Sequence, residues 1–182
     1  DLRMSRGLGD VYKRQDIDNT LFFTNDLNNK AYIFALSSLG LKALTPCKRI
    51  TRTVVASWYP SLTNTEMNDI IRMKQTYVSE NLHLISINVD LHQLLREVGP
   101  NMVGLWTAAD PIRIKKILDH NNITNYTCIR FSDKSQDDIC HGIQEFCHVF
   151  HCEKDQLCFY EDDKNVISLL QSHNVQVVEV LA

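Results

Sequence analysis

The sequence lacks a run of about 18 apolar residues, the length that a membrane-spanning helix requires, so we predict no membrane partner. Its first residues also lack the apolar stretch of a signal peptide, and no secretory leader is expected. Basic residues are not in excess, because 19 lysines and arginines stand against 22 aspartates and glutamates. The net charge of −3 therefore gives no indication of a nucleic-acid partner, since such proteins concentrate basic residues on one face.

The chain also lacks internal repeats and low-complexity linkers. Its 182 residues are 44% hydrophobic and 23% charged, which is ordinary for a globular protein. This length accommodates one full hydrophobic core and a modest inserted subdomain. The composition indicates no particular oligomeric state.

Six cysteines raise the question of a disulfide framework. Such frameworks mostly serve small secreted domains that cannot build a sufficient core, and this chain is larger. Cys128 and Cys158 also lie inside apolar, strand-like runs, where a free thiol behaves as a small hydrophobe. We therefore predict reduced cysteines and a cytoplasmic location. The cysteines are Cys47, Cys128, Cys140, Cys147, Cys152 and Cys158.

Short apolar runs alternate with helical patterns in the C-terminal half. The runs are rich in aromatic and β-branched residues, which is typical of strands that are buried on both faces. Alternation of strands and helices favours an α/β fold with a Rossmann-like parallel sheet. The predicted strands are Met102–Thr107, Tyr126–Phe131, Gln156–Tyr160 and Val175–Val180. The predicted helices between them are Pro111–His120, Gln136–Phe150 and Lys164–Ser172.

The middle of the chain has a different pattern. Helical periodicity covers Asn29–Leu39 and Asn64–Val78 with little strand signal, and a further helix is predicted at Val89–Val98. A helical layer inserted near the start of an α/β domain explains this order most simply. We therefore predict a core formed by residues 16–21 and 85–182, and a helical insertion at residues 22–84.

Residues 1–15 do not match this pattern. A central, apolar strand is expected before Asp16, but the chain has Lys13, Arg14 and Gln15 there. Burying three such residues costs several kcal/mol of desolvation. The segment SRGLGDVYKRQ also resembles translated adapter sequence, so we interpret residues 1–15 as an atypical N-terminal segment of foreign origin. The alternative is a polar lead-in to a short strand.

The strongest local motif is the run from Asp16 to Leu21, Asp-Ile-Asp-Asn-Thr-Leu. Phosphoryl transfer to a carboxylate requires a nucleophilic aspartate, a metal that neutralises phosphate charge, and a proton donor for the leaving oxygen. Asp16 and Asp18 could supply the first and last of these. The pair alone is a weak signal, because such triplets also cap helices or build turns.

Three further elements follow predicted strands. Thr107 ends one strand, Lys134 follows the next after a short loop, and Glu161, Asp162 and Asp163 follow the third. The hydroxyl could hold a phosphate oxygen, the ammonium could screen phosphate charge, and the carboxylates suit Mg²⁺. Doubly wound sheets bind their ligands at the carboxyl ends of their strands. Taken singly, Thr107 could merely pack, Lys134 could be solvated, and Asp163 could cap a helix.

In this order, the set of Asp16, Asp18 and Thr20, then Thr107, then Lys134, then Glu161 and Asp162 resembles the four motifs of the haloacid dehalogenase (HAD) superfamily. The resemblance covers the chain from Asp16 to its C-terminus. It implies a phosphatase-like member in which the helical insertion is a cap over the active site. It also implies that Asp16 attacks phosphorus to form an aspartyl-phosphate. Asp18 would protonate the leaving group and then activate water.

The resemblance further implies a magnesium site. Asp162, Asp16 and the backbone carbonyl of Asp18 would bind Mg²⁺, and Glu161 would orient metal-bound water, with Asp163 as the alternative. Thr107 and Lys134 would hold the phosphoryl group.

An acid at Asp18 distinguishes this chain from the dehalogenases of the superfamily, which have no alkoxide leaving group to protonate. We therefore expect a magnesium-dependent phosphohydrolase that acts on a small phosphorylated metabolite. A sugar-phosphate phosphomutase of the same superfamily is the alternative enzyme, and a catalytically inactive HAD-like binding module is the alternative from another class.

Overall fold

The computed structural model describes residues 12–181, and their side chains from Asp16 onward. Seven strands and seven α-helices lie within these residues. The strands are β1 (Tyr12–Asp16), β2 (Phe22–Phe23), β3 (Ser86–Ile87), β4 (Val103–Thr107), β5 (Cys128–Phe131), β6 (Leu157–Glu161) and β7 (Gln176–Glu179). The helices are α1 (Asn25–Ser38), α2 (Arg52–Trp58), α3 (Asn64–Glu80), α4 (Val89–Val98), α5 (Pro111–His120), α6 (Gln136–Phe150) and α7 (Lys164–Ser172).

Five strands form one sheet in the order β5-β4-β1-β6-β7, and β2 and β3 form a separate two-stranded sheet. All four strand pairs of the large sheet are parallel. At least one helix lies between each two consecutive strands of this sheet along the chain. Parallel strands need such a crossover connection. The predicted α/β fold with a Rossmann-like parallel core is confirmed.

Strand β1 occupies the centre of the sheet, between β4 and β6. The polar residues Lys13, Arg14 and Gln15 are therefore part of a central strand, in register with both neighbours. This backbone position is where an apolar strand was expected. Residues 1–11 lie outside the described residues, so the foreign origin of residues 1–15 stays a prediction.

The four helices predicted after residue 88 begin and end at the predicted residues. Strand limits differ slightly. Met102 belongs to a short 3₁₀ turn, so β4 begins one residue later than predicted, at Val103. Strand β6 ends one residue later than predicted, at Glu161. Strands β4 and β6 are buried throughout, whereas β5 and β7 are partly exposed because they lie at the two edges of the sheet.

The chain divides into two compact units, one formed by Asp1–Phe22 with Ile87–Ala182 and the other by Phe23–Ser86. The first unit contains the large sheet. Aromatic residues of α6 and of strands β4 and β6 pack together in its core, to which α7 also contributes. The buried members of this cluster are Trp106, Ile139, Ile143, Phe146, Phe150, Leu157, Phe159, Leu170 and Val175.

The second unit contains α1, α2 and α3. Helix α1 starts four residues before its predicted first residue, Asn29, and α3 runs two residues past its predicted end, Val78. The short helix α2 has no counterpart in the prediction, and its start is capped by Thr51, whose hydroxyl accepts the N–H of Val54. The unit has its own core of Tyr32, Ala35, Leu36, Ile50, Val55, Met67 and Ile70.

Across residues 12–181, the helices are all too short or too polar to cross a bilayer.

Candidate active site

Side chains of the predicted site lie at the carboxyl ends of three adjacent strands. Asp16 ends β1 and is in register with Trp106, so Thr107 is the next residue along β4. Gln15 is in register with Tyr160, so Asp16 and Glu161 are the following residues of β1 and β6. All three side chains are buried, Thr107 almost completely. The parallel sheet therefore brings together three groups that are far apart in the sequence.

Lys134 joins this group from the loop after β5. Its Nζ lies 2.5 Å from Oδ1 of Asp16 and 2.6 Å from Oε2 of Glu161. The lysine side chain is 7% exposed, so this ammonium is a buried ion-pair partner of two carboxylates. A solvated loop lysine, the alternative open from the sequence, is not what the structure shows.

Asp162 completes a carboxylate cluster. Oxygen atoms of Asp16, Glu161 and Asp162 all lie within 4.8 Å of one another. The hydroxyl of Thr20 donates a 3.3 Å hydrogen bond to Oδ1 of Asp162. Three convergent carboxylates are the hard oxygen ligands that Mg²⁺ prefers, so the residues present fit a divalent cation.

Glu161 has a second set of contacts. Its Oε1 accepts the backbone N–H groups of Asp162 and Asp163, each at 3.1 Å. Glu161 thus contacts the backbone after β6 through Oε1 and the Lys134 ammonium through Oε2. Asp163 has a different position: its Oδ1 accepts the N–H groups of Asn165 and Val166 and caps α7.

The charges in this cluster shift each other's pKa values. Burial, together with repulsion from Glu161 and Asp18, raises the pKa of Asp16 to about 7 against the opposing effect of Lys134. Burial alone lowers the pKa of Lys134, but attraction to Asp16 and Glu161 outweighs it and raises the pKa above 10.5. Burial thus dominates the shift of Asp16, whereas the two neighbouring carboxylates dominate the shift of Lys134. Lys134 therefore remains an ammonium.

Asp18 is positioned by the turn that follows β1. Asn19 has a left-handed backbone with φ of 61°, which asparagine tolerates better than most residues. The N–H groups of Leu21 and Phe22 both donate to the carbonyl of Ile17, at 3.1 Å and 2.9 Å. This tight turn directly follows β1 and fixes the position of Asp18 within it.

A cation that was not predicted from the sequence faces Asp18. Nη2 of Arg113 lies 2.6 Å from Oδ2 of Asp18, and both side chains are about nine-tenths buried. The sequence contained a signal for the location of this arginine, but none for its partner. Asp110 caps α5 through the N–H of Arg113, which places this arginine in the first helical turn after β4. That turn lies at the same edge of the sheet as Thr107.

The structure thus brings Asp16, Lys134, Glu161 and Asp162 into direct proximity, and it pairs Asp18 with Arg113. Thr107 lies at the adjacent strand end, where its hydroxyl accepts the N–H of Ala109 at 3.1 Å. The catalytic and metal-binding roles of these residues stay predictions.

No protein-family model and no curated protein sequence matches the chain. Solved structures do match it. A HAD-superfamily hydrolase of subfamily IA from Geobacter sulfurreducens PCA has a TM-score of 0.70 at 13% identity, over 96% of this chain and 89% of that one. A predicted phosphoglycolate phosphatase from Haemophilus somnus 129PT has a TM-score of 0.75 at 16% identity, over 92% and 84%.

A candidate β-phosphoglucomutase from Thermotoga maritima has a TM-score of 0.68 at 13% identity, over 93% of this chain and 85% of that one. These similarities cover nearly the whole chain. They show that the protein has the fold of the HAD hydrolases and phosphatases, as the sequence motifs predicted.

Proposed function

We propose that this protein is a magnesium-dependent phosphohydrolase that cleaves a small phosphomonoester through an aspartyl-phosphate on Asp16. The observation that carries the proposal is the position of Lys134, whose ammonium is buried between Asp16 and Glu161. These three residues and Asp162 meet at the carboxyl end of a parallel sheet with the HAD fold. Such a position at the strand ends is where α/β folds bind ligands.

In the first step, a carboxylate oxygen of Asp16 forms a bond to phosphorus while the bond from phosphorus to the ester oxygen breaks. The electron pair leaves with that oxygen, which takes a proton from Asp18. Lys134 fixes one oxygen of the Asp16 carboxylate at 2.5 Å, so the nucleophile is oriented before the substrate arrives.

In the second step, water attacks phosphorus and gives a proton to Asp18. The bond between phosphorus and Asp16 breaks, which restores the carboxylate and releases inorganic phosphate. Asp18 returns to its protonated form, so protons and atoms balance over the two steps. The Arg113 guanidinium donates a 2.6 Å hydrogen bond to Oδ2 of Asp18, which can accept it in either protonation state, and so orients this side chain.

Asp16, Asp162 and the backbone carbonyl of Asp18 would hold the metal. When bound, Mg²⁺ would neutralise phosphate charge as a Lewis acid. Thr20 steadies the Asp162 carboxylate through its 3.3 Å hydrogen bond. In our proposal Glu161 orients water beside the metal and also fixes Lys134, while Lys134 and Thr107 hold the phosphoryl oxygens.

Asp18 favours transfer from a phosphate ester, because it supplies the proton that an alkoxide leaving group needs. A phosphomutase would use the same residues but would return the phosphoryl group to a second position of a sugar phosphate. Similarity to a candidate phosphoglucomutase keeps that reaction as the second candidate. A cytoplasmic location remains part of the proposal, on the evidence of the cysteine content.

The first test is phosphate release from p-nitrophenyl phosphate with and without Mg²⁺. We expect turnover that a chelator abolishes and that Mg²⁺ restores. Asp16→Asn should lose essentially all turnover, because an amide is a far poorer nucleophile of nearly equal shape. Asp155→Asn, at an exposed position, is the matched control and should keep full activity.

A panel of sugar phosphates, nucleotides and phosphoglycolate then separates the candidate reactions. Release of inorganic phosphate supports the hydrolase, and isomerised sugar phosphate without release supports the mutase. Unchanged turnover in Asp16→Asn would contradict covalent catalysis by this residue. A folded wild-type protein without turnover on any substrate would favour the inactive binding module.

A further inference from the structure

Lys134 has a backbone conformation that lysine rarely adopts. Its φ is 55°, in the left-handed region, where residues other than glycine, asparagine and aspartate are uncommon. Such a conformation carries a cost on the order of 1 kcal/mol or more and persists where neighbouring contacts impose it. The turn around Lys134 therefore needs an identifiable restraint.

The side chain of Asp138 provides this restraint. It lies in the first turn of α6 and accepts hydrogen bonds from the guanidinium of Arg130 and the hydroxyl of Ser132. The pKa of this carboxyl is lowered by those two hydrogen bonds and by the nearby backbone N–H of Lys134. One carboxylate thus faces Arg130 before the 132–134 turn and both end residues of the turn itself, Ser132 and Lys134.

The same turn is joined to strand β4. The N–H of Ser132 donates to the carbonyl of Thr107 at 3.0 Å. The hydroxyl of Ser132 accepts the indole N–H of Trp106 at 2.7 Å while it donates to Asp138. The Asp138 carboxylate is therefore the end of a hydrogen-bond chain that starts in the core strand beside Asp16.

We propose that Asp138 is a positioning residue that holds the 132–134 turn and so aims the Lys134 ammonium at Asp16 and Glu161. Its carboxylate lies four residues past Lys134 in the sequence and acts on that lysine through the backbone. The catalytic consequence of this inference rests on the proposed function. The positioning itself does not.

Asp138→Asn is the informative change, because it keeps the size of the side chain. Three donors converge on the carboxylate, and an amide offers one acceptor oxygen and an NH₂ group that faces donors. At least one of these interactions is lost, and the turn is free to relax. Glu145→Gln is the matched control, since Glu145 also pairs with Arg130 but has no contact with the turn among its described bonds.

The first readout is turnover of p-nitrophenyl phosphate. We expect Asp138→Asn to lower kcat/KM on the order of 10- to 100-fold, as displacement of a catalytic group by about an ångström does. Glu145→Gln should stay within about twofold of wild type, well below that effect. Equal losses in both variants would overturn the inference, because the effect would then belong to Arg130 and the helix surface.

The second readout follows Lys134 directly and does not depend on activity. Each protein is treated briefly with acetic anhydride, and acetylation of Lys134 is quantified by peptide mass spectrometry against exposed Lys164. Lys134 should be protected in wild type and in Glu145→Gln and should react several-fold faster in Asp138→Asn. Phe150→Leu loosens the far end of α6 and should leave Lys134 protected.

The two readouts separate the two claims. A wild type that turns over no substrate of the panel but protects Lys134, together with an exposed Lys134 in Asp138→Asn, contradicts the proposed function and supports the positioning role. Equal protection of Lys134 in wild type and in a folded Asp138→Asn overturns the positioning role, whatever the turnover. Should Asp138→Asn unfold, Ser132→Ala removes one donor of the same network and should expose Lys134 to a smaller degree.

Discussion

At the residue scale, the balance of charge around Asp16 explains how four carboxylates share one small site. Lys134 lies between Asp16 and Glu161, and Arg113 pairs with Asp18, so two cations oppose Asp16, Asp18, Glu161 and Asp162. Burial raises the pKa of Asp16 most, and the negative charge of Glu161 and Asp18 that the two cations leave in excess raises it further. A divalent cation would remove that excess, which is the physical reason to expect metal dependence.

Asp163 provides a test of which acid supports the chemistry. Its side chain caps α7, so Asp163→Ser should preserve both the cap and the activity. Asp163→Ala should lower the free energy of unfolding by about 1 kcal/mol through loss of the cap. Urea denaturation and turnover of p-nitrophenyl phosphate measure the two effects.

If Asp163 instead orients water at the metal, Asp163→Ser will lose activity although its stability is unchanged. That outcome would transfer the role proposed for Glu161 to Asp163.

The positions of the candidate site residues could be predicted from the sequence, because the carboxyl ends of the strands of a parallel sheet all lie on the same side. Asp16, Thr107, Lys134, Glu161 and Asp162 were all expected there. The partner of Asp18 was not predicted. Arg113 lies 95 residues away, and no periodic pattern links the two positions. Contacts of this kind depend on the geometry of the folded sheet.

At the element scale, the close packing of α6 on strand β4 governs the core beside the site. Gly142 faces the indole of Trp106, and a Cβ at residue 142 would lie 2.1 Å from Cη2 of that ring. The same indole contacts Phe146 and Phe159 with ring centroids 5.6 Å and 6.1 Å apart. The helix can approach the strand this closely because residue 142 has no side chain.

Gly142→Ala should therefore destabilise the protein, although alanine is the better helix former by about 1 kcal/mol. Overpacking against the buried indole should lower the free energy of unfolding by about 1–3 kcal/mol. The urea midpoint measures this change, with Gln144→Ala on the exposed face of α6 as the control. A higher midpoint for Gly142→Ala would show that the helix and strand separate easily.

After residue 88, helices were predicted more accurately than strands. The boundaries of α5 and α7 follow from their aspartate caps, Asp110 and Asp163, which are local signals. Helix α2 was missed because its seven residues, of which Val55 alone is buried, give too short a pattern for helical periodicity. Short elements depend on their neighbours more than on their own residues.

At the scale of the whole molecule, the central strand is the least consistent part of the sequence. β1 pairs with β4 and β6, and every residue of those two strands is buried. A central strand of a parallel sheet is usually apolar for this reason. A central strand was expected here from the motif at Asp16, but the polar residues before Asp16 do not themselves indicate a buried strand. The sheet order shows that they form one.

Replacement of Lys13, Arg14 and Gln15 by Val, Ile and Val should therefore stabilise the protein. We expect the free energy of unfolding to rise by at least about 2 kcal/mol, because apolar side chains suit a covered strand. Urea denaturation and the phosphatase assay on both proteins measure the effect. Unchanged stability would indicate that the polar residues suit this strand and that residues 1–15 need not be foreign.

The measurement that tests the central claim most directly is the trapping of the covalent intermediate on Asp16. Borohydride reduces an acyl phosphate to an alcohol, so quenching during turnover of p-nitrophenyl phosphate with Mg²⁺ should convert Asp16 to homoserine. Peptide mass spectrometry should find this change at residue 16 in the wild type, and not without substrate or in Asp16→Asn. Turnover without modification, or modification at a different carboxylate, would contradict the account.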